Sequence, residues 1–335
     1  MKSNRENWVD IVKAMACVLV ALGHFSQSMI KGGIATESPL YSWFQMTIYL
    51  FHVQLFFVCS GYLFQKYSKV NSFNSWGSNI VKKFIVLGVP YFVFSTITWT
   101  LKRVFSAEVN SKTEGLIEVL FIKPIAPYWY LFVLFFIFCI TFTASKKHQM
   151  FLLFIISMLL KVLIMLNINT GIYAIDQTAK NWVWFVIGMM IAYGMIPMCN
   201  VMVGIVLFCT FLVGTVLNTY SIGSSVFGYS FLLGILACYS VISIVKSVTE
   251  KKEFKIFESF SKYTMPIFLM HTIFAAPLRS VLLKIGIKGL VIHSILGLLI
   301  SFTGPIIAMI VLNKLKPLDF IIYPGRYIRF QQSKA

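Results

Sequence analysis

The chain has 335 residues, 58% of them hydrophobic, with a mean hydropathy of +0.82. Only 12% are charged, about half of the roughly 25% found in soluble domains, which excludes an ordinary soluble protein. The formal net charge of +18 is spread between apolar runs, where bases orient loops and meet anionic lipid. No basic module with aromatic platforms gathers them, so nucleic-acid binding is excluded too.

At about 20 apolar residues per crossing, the runs predict about ten transmembrane helices, over 9–30, 43–65, 80–101, 128–145, 150–167, 181–196, 201–219, 225–245, 263–283 and 290–313. The fold class is therefore all-α, a polytopic membrane helix bundle forming a single domain over residues 1–335. The run after the basic start MKSNREN holds Asp10 and Lys13 and is followed by no A-x-A site, so it reads as a retained span and not a cleaved leader. With the N-terminus inside, 18 Lys and Arg fall in inner segments and 8 in outer ones, which predicts both termini in the cytoplasm. Between residues 102 and 127, Glu108, Glu114 and Glu118 accompany the apolar GLIEVLFI, predicting a short amphipathic helix on the outer face. The six cysteines are scattered without a C-x-x-C pair; they read as small buried hydrophobes, and no metal is expected.

Ionisable groups in hydrocarbon cost roughly 2.5–3.5 kcal/mol each on insertion scales and usually face a protein interior or a wet cavity. In the first span Lys13 and His24 are about 20° from full register and Asp10 is about 40° from His24, so the three share one stripe. Asp10 and Lys13 lie toward the inner end, where an i,i+3 pair either neutralises itself or meets a ligand. In the second span Gln45 and His52 share a face, and Ser60-Gly61 falls near the inner end, level with Lys13. His52 and His24 lie about 13 and 9 Å from the outer end, at similar depth. The ninth span holds His271 in its inner-to-middle part and Arg279 about 12 Å higher, with Pro266 and Pro277 allowing kinks. His148 and His293 read as structural, and Lys161 as snorkelling or paired. The Tyr128-Trp129-Tyr130 run is either an interfacial belt or the wall of a site. Three spans bearing histidine or arginine converge at one depth and predict a functional polar cavity. A multi-span transporter or flippase with a midplane polar site, or a membrane sensor, fits these charges as well.

Asp10-Ile11-x-Lys13 followed by Gly23-His24, then Phe51-His52-x-x-Leu55-Phe56-Phe57-x-x-Ser60-Gly61-Tyr62-Leu63, resemble the bacterial acyltransferase-3 family of integral membrane O-acyltransferases. The resemblance continues through Lys82-Lys83-Phe84 to Pro90-Tyr91, through Trp129-Tyr130-Leu131, and through Tyr263-Thr264-Met265-Pro266 to His271, covering nearly the whole chain in order. It implies a multi-pass enzyme of the bacterial cytoplasmic membrane that moves an acyl group, often acetyl from acetyl-CoA, onto a hydroxyl of a cell-envelope or exported polysaccharide. The implied partners are the lipid bilayer, acyl-CoA and a glycan or lipid-linked glycan; the oligomeric state is open, a homodimer included. The family's first-span base is commonly arginine; Lys13 stands there, able to meet a phosphate but without a bidentate fork. The extra C-terminal esterase-like domain of some members is not expected.

This chemistry needs a base and a stabilised oxyanion. His24 suits the role of general base or acyl carrier. Asp10 is about 21 Å away along the helix and cannot orient it; Gln45, Tyr49, His52 and Arg279 are better placed by depth. The expected catalytic residues are thus His24, His52 and Arg279. Lys13, Lys82, Lys83 and Ser60 are expected to hold the acyl donor, and Trp129, Gln45 and His271 the acceptor.

Overall fold

The computed structural model describes residues 6–104, 114–219, 226–251 and 254–328, and among these it contains helices and no strand. In chain order they are α1 (Asn7–Lys31), α2 (Pro39–Tyr49), α3 (His52–Tyr67), α4 (Phe73–Val104), α5 (Trp129–Ile140) and α6 (Lys147–Met165). There follow α7 (Tyr173–Tyr193), α8 (Val201–Thr219), α9 (Tyr229–Thr249), α10 (Lys255–Ser261), α11 (Thr264–Lys284) and α12 (Leu290–Lys314). Eight helical stretches are long and apolar enough to cross a membrane, with α2 and α3 counted as one. The shorter α5 and the more polar α7 occupy the fourth and sixth predicted runs, so each of the ten predicted segments holds a helix. The chain is a multi-pass membrane protein.

Three segments differ from their predicted form. The second span is broken at Leu50-Phe51, and His52 opens a new helix. The break leaves carbonyls outside the regular ladder, and neighbours receive them. Leu50 O packs where a side chain on Gly234 of α9 would approach to 2.8 Å, and the Cys238 thiol points at Phe51 O from 3.8 Å. The fourth span stays helical only to Ile140. Beyond it Thr143 N–H donates to Val70 O, Val70 N–H to Thr143 Oγ1, and the Gln65 amide brackets Ala144, so an extended strip replaces the last turn. The sixth span starts eight residues early because Asp176 caps the loop before it, accepting from Thr170 N–H, Thr170 Oγ1–H and Gly171 N–H. In the segment expected to form an outer amphipathic helix, Glu118–Ile122 forms one π-helical turn with Val119 buried; residues 105–113, Glu108 among them, lie outside the described residues.

The centre of the bundle is the pairing of α3 with α7. It is a backbone-to-backbone contact. A Cβ on Gly61 would sit 1.8 Å from Phe185 O, and one on Gly188 would sit 1.9 Å from Val58 O. Small residues permit this approach, which is how helices associate where lipid offers no hydrophobic drive. Around the pair, α1 packs against α3, α9 and α11. Helix α12 lies on the outside of α11, with many lipid-facing side chains, yet two of its glycines receive rings from the helices behind. Phe25 of α1 occupies the space over Gly297, and Phe274 of α11 the space over Gly304, at 2.5 and 2.6 Å from where a Cβ would be.

The segment after α12 folds back over the end of the bundle where α4 begins. Gly325 meets Val86, and Tyr323 O–H donates to Lys262 O at 2.9 Å. The Tyr327 hydroxyl donates to Asp319 and Arg326 pairs with it at 2.9 Å; these bonds hold the Asp319 carboxyl below the usual carboxylate range.

The Gly61 contact is testable. Gly61→Ala should lower the thermal midpoint of the detergent-purified protein, with a cost of about 1–3 kcal/mol typical of forced overpacking. Gly77→Ala, in α4 with no atom within 4 Å of the added methyl, should leave the midpoint in place. Equal midpoints for the two variants would mean that α3 and α7 do not touch this closely.

Candidate functional site

Helices α1 and α11 lie side by side and run in the same direction. Cys17 is level with Thr264, donating to its carbonyl at 3.3 Å; His24 is level with His271, and Ser28 with Arg279. Between them and α4, toward the ends of all three helices, opens a cavity of 410 Å³. His24 and His271 lie at its inner part with ring centroids 5.5 Å apart and planes 34° apart. His271 Nδ1 is 2.9 Å from Ile267 O and 3.1 Å from Phe268 O. Carbonyls only accept, so Nδ1 carries the proton and Nε2 holds the lone pair. That Nε2 is buried and has no hydrogen-bond partner. His24 is half-buried and reaches the cavity.

A second row of polar groups backs His24. His52 is only 2% exposed; its Nδ1–H donates to Ile48 O at 2.6 Å, one turn back across the α2–α3 break. Its ring meets Tyr49 edge-on at 4.7 Å. The Tyr49 ring lies over Gly23, where a Cβ would come within 3.2 Å of it. Gln45, one turn earlier on α2, has a buried Nε2 without a partner, and so does the Tyr49 hydroxyl. Tyr49 thus connects His52 to Gly23, the residue before His24.

His271 is higher than its depth count indicated, directly against His24. Helix α11 is preceded by α10 and starts level with the middle of α1, so a count from the predicted inner membrane surface set it too deep. Arg279 finds its acceptors in α1: NH1 donates to Ser28 O at 3.0 Å and to the Ser28 hydroxyl. Trp129 turns away from the cavity and packs on Phe57, centroids 6.4 Å apart. Its neighbour Tyr128, fully buried, does the work of tying this wall together. The Tyr128 hydroxyl donates to Leu269 O at 2.9 Å and meets Thr98 Oγ1 at 2.8 Å, joining α4 to α11 two residues before His271. The tyrosine's burial was not readable from an aromatic triplet at a helix start.

The residues expected at the donor end gather at the opposite end of α1. Lys83 Nζ lies 4.0 Å from the centroid of the Phe138 ring, with Lys82 and Lys13 within electrostatic range. Lys13 has no carboxylate partner among the described residues, so the pairing with Asp10 is not formed. Ser60 is bonded to the Tyr130 hydroxyl at 3.1 Å, inside the aromatic packing of Phe56, Phe57 and Phe268. Of the remaining polar groups, His293 Nε2–H donates to Ile287 O at 2.8 Å, a structural role, and Lys161 is buried with its ammonium 5.2 Å from the Phe231 ring centroid.

A family model described as an acyltransferase domain matches residues 6–313. The chain belongs to the acyltransferase-3 family. It is also similar to the nodulation protein NolL of Mesorhizobium japonicum, 30% identical over 133 residues; that match takes in 40% of this chain and spans 34% of the length of NolL. No solved structure matches. The region matched by the family model contains the whole cavity and both basic ends of α1.

Tyr128→Phe should leave the Leu269 carbonyl and the Thr98 hydroxyl without their shared partner, at a cost of about 1–3 kcal/mol for buried groups. The expected result is a lower thermal midpoint together with a slower acyl transfer, since α11 loses its tie beside His271. A variant equal to wild type in both would separate Tyr128 from the site.

Proposed function

We propose that the chain moves an acyl group, acetyl from acetyl-CoA, to a hydroxyl of a cell-envelope or exported glycan, in a bacterial cytoplasmic membrane with both termini in the cytoplasm. The observation that carries this reading is the imidazole pair at one cavity, ring centroids 5.5 Å apart, with the buried His271 Nε2 left unpartnered. Acyl transfer to an alcohol needs a base at the hydroxyl and an orienting group behind the base. His24 is the base, because it reaches the cavity. His271 is the positioning residue: its proton is committed to the main chain, so its Nε2 accepts from the His24 N–H and turns the other His24 nitrogen, as a lone pair, toward the substrate. That bond is one the substrate complex has to close, in keeping with the loose geometry of catalytic groups before substrate binds.

The step balances as follows. The acceptor hydroxyl oxygen bonds to the thioester carbonyl carbon as its proton passes to His24. The tetrahedral intermediate expels the thiolate of coenzyme A, which takes the proton from His24. The ester and the free thiol are the products. Arg279 at the cavity edge supplies positive charge near the developing oxyanion. The donor nucleotide lies at the other end of α1, its phosphates met by Lys13, Lys82 and Lys83. Lys13 is about 16 Å below His24 along the helix, a distance that the extended acyl arm has to cover. Trp129 and Ser60, both engaged in aromatic packing, take supporting places around this path.

Two measurements test the reading. Mass spectrometry of envelope glycans from cells with and without the protein should show an acetyl-sized difference, lost by at least about a hundredfold with His24→Ala, the lower end of what a general base contributes; full modification with His24→Ala removes it from catalysis. Separately, Lys82→Ala combined with Lys83→Ala should weaken binding of labelled acetyl-CoA to the detergent-purified protein, and unchanged binding would sink the assignment of the donor to that end.

A further inference from the structure

A second space lies between α6, α7 and α9, with Val58 of α3 in its lining, and shares no residue with the cavity of His24 and His271. It is a groove of 200 Å³ lined by apolar side chains, among them Phe154, Met158, Trp184, Phe231 and Ile242. The Tyr239 hydroxyl toward one end is spent on Pro197 O at 2.8 Å. Along α9 the lining runs from Phe231 to Ile242, about 16 Å, close to the depth of one leaflet of a roughly 30 Å hydrocarbon core. The opposite end carries a charge. Phe154, Met158 and Lys161 follow one another at i, i+4 and i+7, so Lys161 continues, one turn on, the α6 face that lines the groove. Its ammonium lies over the Phe231 ring, 5.2 Å from the centroid. A lysine one turn from a helix end ordinarily snorkels toward the headgroups. Lys161 is only 8% exposed, and its charge rests instead on a ring of the groove. Lys180 of α7 is within electrostatic range, and no carboxylate pairs with Lys161 among the described residues. Residues 220–225, outside that set and just before α9, contain neither Asp nor Glu. An aromatic face supplies only part of what an ammonium loses on leaving water, and an anion supplies the rest.

We propose that this groove binds an anionic phospholipid of the surrounding bilayer, with its phosphate on Lys161 and one acyl chain laid along α9. The two parts of the site match the two parts of such a molecule: a cation at one end for the headgroup, and an apolar trough of leaflet depth for the chain. The groove also backs onto the α2–α3 break. Trp184, in its wall, lies 3.0 Å from where a Cβ on Gly234 would be, and Gly234 in turn receives Leu50 O. Cys238, also in the wall, points its thiol at Phe51 O. A chain in the groove therefore braces the side chains that hold the break from which Tyr49 and His52 emerge. The lipid site stands on this geometry and does not need the acyl-transfer reading.

A phosphate could also come free in solution, and the test separates the two sources. Phosphatidylglycerol, phosphatidylcholine and sn-glycerol 3-phosphate are titrated into the delipidated, detergent-purified full chain, with binding read by native mass spectrometry. Phosphatidylglycerol should bind about fivefold more tightly than phosphatidylcholine, the discrimination that one lysine gives toward anionic lipid. Glycerol 3-phosphate, which has the phosphate without the chain, should bind far more weakly than either. Lys161→Gln should remove the preference and Lys161→Arg should keep it. Ile235→Trp, which fills the groove from α9, should weaken both phospholipids; where that variant does not fold, Met158→Phe fills it from α6. Hydrogen exchange over residues 50–54 should slow when phosphatidylglycerol binds the wild type. Equal affinity for the two phospholipids overturns the proposal, as does a preference that survives Lys161→Gln. Glycerol 3-phosphate binding as tightly as phosphatidylglycerol makes this a site for free phosphate and overturns it too. Lipid binding unaffected by the filled groove takes the chain out of it, and exchange unchanged by lipid overturns the link to the break. Acyl transfer is read in a separate assay, so failure of that reading leaves its own signature.

Discussion

Inside hydrocarbon every backbone polar group has to find a partner within the protein, and this bundle meets that constraint at its most demanding point where α2 gives way to α3. The second span stops at Tyr49 and restarts at His52. The break is possible because α9 brings Gly234 and Cys238 against the loosened carbonyls. In return it turns Tyr49 onto Gly23 and sets His52 beside it, with the imidazole proton committed to Ile48 O. A continuous helix would hold Tyr49 and His52 in a fixed α-helical relation; the two-residue turn frees each to face α1 separately. The polar wall behind His24 therefore comes from an irregular piece of backbone, of the kind that spans tolerate only where it is buried in protein or lines a cavity.

Along α1 the charge is divided. One end carries Lys13 near Lys82 and Lys83, with Glu6 bound by Lys66 and the C-terminal segment folded nearby. The other carries Lys31 with Lys102, Arg279 and Lys284 round the cavity. Between them lies a stretch of fully buried apolar residues, among them Ala16, Cys17 and Val20. The parallel run of α1 and α11 is what brings one histidine from each to the same level, and Tyr128 with Arg279 fixes that level from two sides. A bundle organised in this way presents two cationic ends to one pair of imidazoles.

Much of the fold was legible in the sequence, because hydrophobic runs near bilayer length announce helices whatever their packing. The ten segments and the all-α class follow from that logic, and the ionisable residues inside those runs, His24 and Arg279 among them, point to the cavity they line. What the runs could not carry was relative height. His271 was counted from the start of its own apolar run, but α10 displaces α11 toward the cavity, and no single segment records that. The break at Leu50-Phe51 has no proline or glycine to mark it; its cause lies on α9, almost two hundred residues later. Nor does a lysine at a helix end declare whether it faces lipid, headgroup or cavity: Lys31, Lys102 and Lys284 are read equally well as topological signals. Trp129 and Tyr128 are adjacent, and one residue of helical rotation, about 100°, separates the side chain that meets α11 from the one that meets Phe57.

Helix α12 carries none of the chemistry, and most of its surface meets lipid. Yet Gly297 and Gly304 are the seats for Phe25 and Phe274, the first adjacent in sequence to His24 and the second three residues beyond His271. The two rings lock the rotation of α1 and α11 about their own axes against a common straightedge. A side chain at either seat would not touch the imidazoles; it would turn one of them out of alignment with the other. The alignment of the two imidazoles is in that sense written on a helix that carries neither of them, in two positions where a side chain would have to displace a ring.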